Sequence, residues 1–236
     1  MKALFLCGSP KGASGASYLM LEAVRKASGG GPAAFLKDGS PPEPGGWEGL
    51  LSQDALILSF PLYVDLFPDP LLAFLETLSA EARQWSAASP GRALPVLYAI
   101  VNNGFFEARH CALAAESLRL FCRDSGLAWG GALMAGGGPM ASSSPGLFRL
   151  GFWPFGRLKR ALRAFGKKTR NLEKTGDVFL NLPMPKGLYI LMANSYWRLL
   201  AFRSRTPQKS LCGPALEPAE IASSAGEKAG ENGDAP

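Results

Sequence analysis

Short apolar runs alternate with helical patterns over residues 1–141, and this alternation restricts the architecture more than any other feature of the chain. Residues 2–7 (KALFLC) form an almost wholly apolar run that Gly8-Ser9-Pro10 ends, as expected of a strand buried on both faces of a parallel sheet. Similar runs follow at 33–37 (AAFLK), 55–60 (ALILSF), 94–101 (LPVLYAIV) and 127–134. Between them, helical spacing appears over 17–27, 47–51, 71–85 and 105–122. Strands separated by helices imply right-handed crossovers and helices on both faces of one sheet. The expected fold is a three-layer αβα sandwich in which ligands bind beyond the carboxyl ends of the strands, where strand order reverses.

Fourteen Phe and five Trp in 236 residues suffice for one such core. The longest apolar stretch, 188–202, is interrupted by Asn194, Ser195 and Arg198, short of the roughly 18 to 20 residues a membrane span requires. At the start, the apolar stretch ends at Cys7, too short for the roughly 7 to 15 residues of a secretory h-region, so a cytoplasmic location is expected. Cys7, Cys111, Cys122 and Cys212 lack metal-ligand spacing, and reduced buried thiols are the simplest reading. His110 is the sole histidine, which excludes a multi-histidine metal site and leaves a histidine-based triad without support.

Charge is unevenly distributed. Residues 1–141 carry 10 Lys/Arg against 12 Asp/Glu, residues 142–210 carry 14 against 2, and residues 211–236 carry 1 against 5. The expected organisation is a near-neutral domain over 1–141, a basic helical extension over 142–210 and a disordered acidic tail over 211–236.

The strand-end rule directs attention to three loops. The first, 8–17 (GSPKGASGAS), is rich in small residues, carries Ser9, Lys11 and Ser17, and opens into a helix whose unpaired N–H groups suit a phosphate. Neither dinucleotide nor P-loop spacing is present, and an ordinary turn with Ser17 as N-cap is the plainer alternative. In the second, 61–68 (PLYVDLFP), apolar residues continue past the strand end, where Tyr63 or Phe67 would face a flat ligand or merely cover the sheet edge. The third, 102–107 (NNGFFE), is polar, contains a glycine and again opens a helix.

In these loops the sequence resembles the flavodoxin-like NAD(P)H-dependent FMN reductases, through Gly8-Ser9-Pro10-Lys11 with Ser17, Pro61-Leu62-Tyr63 with Pro68 and Pro70, and Asn103-Gly104-Phe105 with Glu107. The resemblance covers roughly residues 1–140, and the stretch 184–197 also resembles the C-terminal part of some members. It implies a five-stranded parallel sheet of order 2-1-3-4-5 and an FMN cofactor reduced by NAD(P)H, which passes electrons to a small acceptor. By that resemblance Ser9, Lys11, Gly15, Ala16 and Ser17 would hold the FMN phosphate. Pro61, Leu62, Tyr63 and Val64 would border the ring, with Asn103, Gly104 and Phe105 at its other edge. The polar pair that usually precedes the closing Ser/Thr is Gly15-Ala16 here. No side chain is expected to act as a catalytic acid or base, because the cofactor carries the redox chemistry.

The segment from Pro154 to Lys168 places Leu158, Ala161, Leu162 and Phe165 on one helical face among six Lys/Arg, with Phe152, Trp153 and Phe155 close by. Packing against the body is the commoner use of such a face and the preferred reading. Peripheral contact with an anionic membrane through 152–170 is the other. A further helix over 187–202 would dock on the body or make a homodimer contact, and nucleic acid is not an expected partner. Two other functions remain open: a non-enzymatic electron carrier or flavin-binding adaptor at the membrane surface, and a flavodoxin-like fold without a cofactor.

Overall fold

A computed structural model describes residues 1–42 and 45–204. In chain order the regular elements are β1 (Ala3–Cys7), α1 (Ala16–Ala27), β2 (Ala33–Phe35), α2 (Gly46–Leu51), β3 (Ala55–Pro61), α3 (Asp69–Ala88), β4 (Val96–Asn102) and α4 (Ala112–Ser125). β5 (Ala128–Ala135), α5 (Gly138–Ser143), α6 (Pro145–Leu150), α7 (Gly156–Arg170), β6 (Val178–Leu180) and α8 (Lys186–Arg203) follow, with short 3₁₀ turns at Gly12–Ser14 and Ala108–Cys111.

The described strands form one parallel sheet of order β2-β1-β3-β4-β5-β6. Its first five positions have the expected order 2-1-3-4-5, and the helices cover both faces. The central strands are apolar throughout because each face is covered, and Phe5, Leu6, Leu56, Ile57, Leu58, Tyr98 and Ile100 are fully or almost fully buried. Strand order reverses between β1 and β3, so the carboxyl ends of β1, β3 and β4 open onto one region.

Expectation and structure differ in four places. β6 adds a sixth strand, pairing Val178–Leu180 with Leu133–Ala135; at three residues it is too short to give a periodic signal. The expected helix over 105–122 begins as a 3₁₀ turn at Ala108 and becomes α-helical only at Ala112, because residues 103–107 are held in a loop. α3 starts earlier than the periodicity suggested, with Pro70 in its first turn, where a missing N–H costs nothing. The compact unit runs from Met1 to Pro185, so the boundary expected near 141 falls inside it.

The last difference has a clear cause. α7 supplies the second helix on the α1 side of the sheet. Its buried stripe of Leu158, Leu162, Phe165, Gly166 and Thr169 recurs at helical spacing. A Cβ on Gly166 would lie 2.6 Å from the Val24 carbonyl oxygen and 2.9 Å from the Ala27 side chain, so the α7 and α1 backbones are in close approach. The Phe165 ring meets Tyr98 of β4 edge-on at 6.1 Å, and the Tyr98 hydroxyl donates to the Glu173 carbonyl at 3.0 Å. The basic segment is thus partly core, as the preferred reading of its amphipathic face held.

α8 belongs to a second unit, separate from the first, and matches the helix expected over 187–202. Among the described residues no helix is long and apolar enough to cross a membrane. Cys212 and the tail expected over 211–236 lie outside the described residues.

Candidate functional site

The first loop leaves β1 at Cys7 and enters α1 at Ala16. Two tight turns shape it, with the Gly12 N–H donating to the Ser9 carbonyl and the Gly15 N–H to the Gly12 carbonyl. Gly12 adopts a left-handed φ of +54°, which a residue with a Cβ rarely accepts. Gly15 is the N-cap of α1 and offers no side chain to the helix end, so Ser17 is not the cap but sits buried in the first turn. The N–H groups of Ala16, Ser17 and Tyr18 therefore have no acceptor within the helix and carry its positive end.

The structure brings the three loops together through one side chain. Asn102, the last residue of β4, donates from Nδ2 to the Ser17 hydroxyl at 2.7 Å and to the Phe60 carbonyl at 3.1 Å. Its own carbonyl accepts from the Leu62 N–H at 2.7 Å. Ser59 of β3 closes the arrangement by donating its hydroxyl to the Ser17 carbonyl at 2.8 Å. The α1 N-terminus, the exit of β3 and the exit of β4 are thus pinned within hydrogen-bond reach at a buried node.

Around that node the expected site residues divide into two groups. Ser9, Gly15, Ala16 and Ser17 are buried at the first loop, whereas Lys11 is exposed. Leu62 is buried, but Tyr63 and Val64 are exposed at the tip of a two-residue hairpin in which Tyr63 and Leu66 exchange backbone hydrogen bonds. Val64 and Asp65 take left-handed φ values of 50° and 62° there, as a type I′ turn requires. Asn103 is buried and turned into its own loop. Its Oδ1 accepts from the Phe105 N–H, and its Nδ2 donates to the Glu107 carbonyl and to the Cys111 sulfur. It shapes the third loop rather than offering its amide outward, and leaves Gly104 and Phe105 exposed, with the Phe105 ring 4.8 Å from that of His110.

A fourth loop, absent from the sequence reading, completes the rim. Gly136-Gly137-Gly138 follows β5, with the Gly137 N–H donating to the Phe105 carbonyl and the Gly138 N–H to the Asn103 carbonyl. A Cβ on Gly138 would lie 2.3 Å from the Asn102 Oδ1, so only glycine permits this approach to the node. A triple glycine immediately after an apolar run was the available signal. Ser59 was also legible, as the one polar residue within 55–60.

The donors suit a phosphate. The first turn of α1 supplies three N–H groups without helical acceptors, and the Ser17 hydroxyl in the same turn accepts from Asn102. A Cβ at residue 15 would crowd the Ser9 Oγ at 2.8 Å, so the Gly15 position keeps room beside that hydroxyl. Lys11 contributes a cation on the exposed side of the same loop. Nucleophilic chemistry finds no support. Burial pushes the Cys7 thiol up to about 11 against a hydrogen bond from the Ser9 backbone, and the Cys111 thiol up to about 12 against one from Asn103. Such thiols stay protonated. Among the described residues no group of three or more His, Cys, Asp or Glu would hold a metal.

No protein-family model matches the chain, and no curated protein matches it in sequence. Solved structures do. The flavodoxin, WrbA-like protein from Agrobacterium tumefaciens aligns with a TM-score of 0.50 at 18% identity, covering 72% of this chain and 96% of its own. The FMN-dependent NADH-azoreductase from Bacillus anthracis, solved with FMN, aligns at 0.47 with 10% identity, covering 72% and 100%. A flavodoxin from Streptococcus pneumonia TIGR4 aligns at 0.40 with 15% identity, covering 56% and 81%. The first of these likenesses is one of fold, and it agrees with the strand order: this chain is a flavodoxin-like αβα sandwich, extended by a sixth strand and by helices beyond β5.

Proposed function

We propose that the chain binds FMN at the carboxyl end of the sheet and transfers electrons from NAD(P)H to a small acceptor. The observation that carries this reading is the Asn102 node, which joins a helix terminus suited to a phosphate to two loops that expose apolar rings. In this reading the N–H groups of Ala16, Ser17 and Tyr18 bind the phosphate, aided by the Ser9 and Ser17 hydroxyls and by Lys11. Pro61, Leu62, Tyr63 and Val64 lie along the ring on one side, and Gly104 and Phe105 on the other, with Asn103 holding the latter loop in shape. Tyr63 and Phe105 are 43% and 50% exposed, apolar surface that a flat ligand would remove from water.

A bound FMN would supply the redox chemistry, hydride transfer from a nicotinamide and reduction of a second substrate. The chain's own part is to bind, to orient and to exclude water. This reading asks nothing of the sole histidine as a base. His110 rests against Phe105 with its Nε2 3.8 Å from a Glu107 carboxylate oxygen.

Anaerobic NADPH titration of the protein loaded with FMN is the direct test. Flavin fluorescence should be quenched on binding, and the visible flavin band should bleach on adding NADPH. Asn102→Leu, which loses the tie to Ser17, should weaken FMN binding by about 5- to 150-fold, for a loss of roughly 1 to 3 kcal/mol. Binding without bleaching would favour the alternative, a flavin-binding electron carrier or adaptor that does not oxidise NAD(P)H. Absence of FMN binding would leave the fold without this function.

A further inference from the structure

We propose that the turn joining α6 to α7 is a docking wedge for an anionic phospholipid bilayer. With the end of α6 that leads into it, the turn exposes four large apolar side chains within seven residues: Leu147 at 46%, Leu150 at 69%, Phe152 at 59% and Trp153 at 60%. Single exposed apolar residues are ordinary, but four within seven residues across a helix end and its turn form a patch.

The turn is built to hold them outward. Phe148 and Phe155, both buried, pack edge to face at 5.6 Å and anchor its base. Gly151, at a left-handed φ of +76°, donates to the Leu147 carbonyl at 2.9 Å, Phe152 donates to the same carbonyl at 3.2 Å, and Phe155 donates to the Phe152 carbonyl at 2.7 Å. Leu147 and Leu150, three apart on α6, share a face opposite the buried Phe148. The apolar stripe of α7 is not the inserting surface, because it is already buried within the body.

Charge selects the partner. No Asp or Glu occurs from residue 125 to residue 172, while Arg149, Arg157, Arg160, Arg163 and Lys167 are exposed on α6 and α7. A second copy meeting this face symmetrically would bring the same cations together, which disfavours a dimer. A duplex nucleic acid would pair with the cations but leave the apolar wedge without a partner. An anionic bilayer satisfies both features: lipid phosphates and carboxylates meet the arginines, while Trp153 and Phe152 enter the interfacial layer. This inference does not depend on flavin binding.

Co-sedimentation of the full chain with vesicles tests it. Binding is expected to vesicles of phosphatidylcholine with phosphatidylserine, not to phosphatidylcholine alone, and should fall as salt rises from about 0.1 to about 0.5 M. The exposed pair Phe152→Ser/Trp153→Ser should weaken partitioning about tenfold or more, and Arg157→Glu/Arg160→Glu by a similar factor. Brominated lipids should quench tryptophan emission in the parent and quench it less in Trp153→Phe. The proposal is overturned if phosphatidylserine vesicles are not bound, or if their binding is unchanged by the Phe152/Trp153 substitutions. Retention on duplex DNA at equal strength, indifferent to those substitutions, would also overturn it.

Discussion

Asn102 shows how much a single carboxamide at a strand end does. With two donors and two acceptor lone pairs it has enough valence to hold the α1 terminus and the β3 exit at once. Buried and almost fully committed, it is costly to replace by a group that leaves the Ser17 hydroxyl and the Phe60 carbonyl unmatched. The buried thiols behave differently. Cys7, Cys111 and Cys122 are held up to about 11, 12 and 12, chiefly by burial, against an ordinary value of 9.0. In the unfolded chain they lose protons first, so the fold binds more protons than the unfolded state between about 9 and about 12. Their contribution to stability is complete below 9 and is lost as pH rises through that interval, by about 1.4 kcal/mol per pH unit for each group. Urea midpoints should therefore be lower at about pH 10 than at about pH 8. An unchanged midpoint would mean that the thiols titrate alike in both states.

Among the elements, the Tyr63–Leu66 hairpin holds two adjacent non-glycine residues, Val64 and Asp65, at positive φ. A β-branched valine at φ 50° is disfavoured, and Val64 is 89% exposed, so no burial within the chain offsets the cost. Val64→Asn should raise thermal stability by about 1 kcal/mol, since asparagine accepts this conformation. If Val64 lies along a flavin ring as proposed, the same substitution should weaken FMN binding, and calorimetry with a parallel flavin titration reads both effects. The hairpin shows why strand-end loops were only partly legible. The mostly apolar stretch from Pro61 to Phe67, broken only by Asp65, announced something other than a solvent-facing turn, but not the backbone conformation that aims it. α7 shows the converse: its 3.6-residue pattern was plain, and its buried stripe was legible as such. Its partner was not, because the glycine that admits close approach to α1 has no periodic signature.

For the molecule as a whole, the compact unit from Met1 to Pro185 makes a prediction about truncation. A chain ending at Ala141 would lack α7 and β6, leaving the sheet side beside α1 uncovered and Tyr98 without its Glu173 acceptor. It should show no cooperative urea transition, whereas a chain ending at Pro185 should show one. Equal cooperativity in the two would mean that α7 is not needed for the core. The layer arrangement, the succession of strands along the chain through β5 and the positions of three strand-end loops follow from the amino-acid pattern, because apolar periodicity and strand-ending glycines are local consequences of which side chains must leave water. What only the tertiary structure decided is non-local. The Asn102 node joins residues 85 apart in the chain, β6 is too short to signal itself, and the wedge at 147–153 is exposed only because the fold places Phe148 and Phe155 inward. Contacts of this kind depend on where distant backbones meet, and one-dimensional spacing carries no record of that meeting.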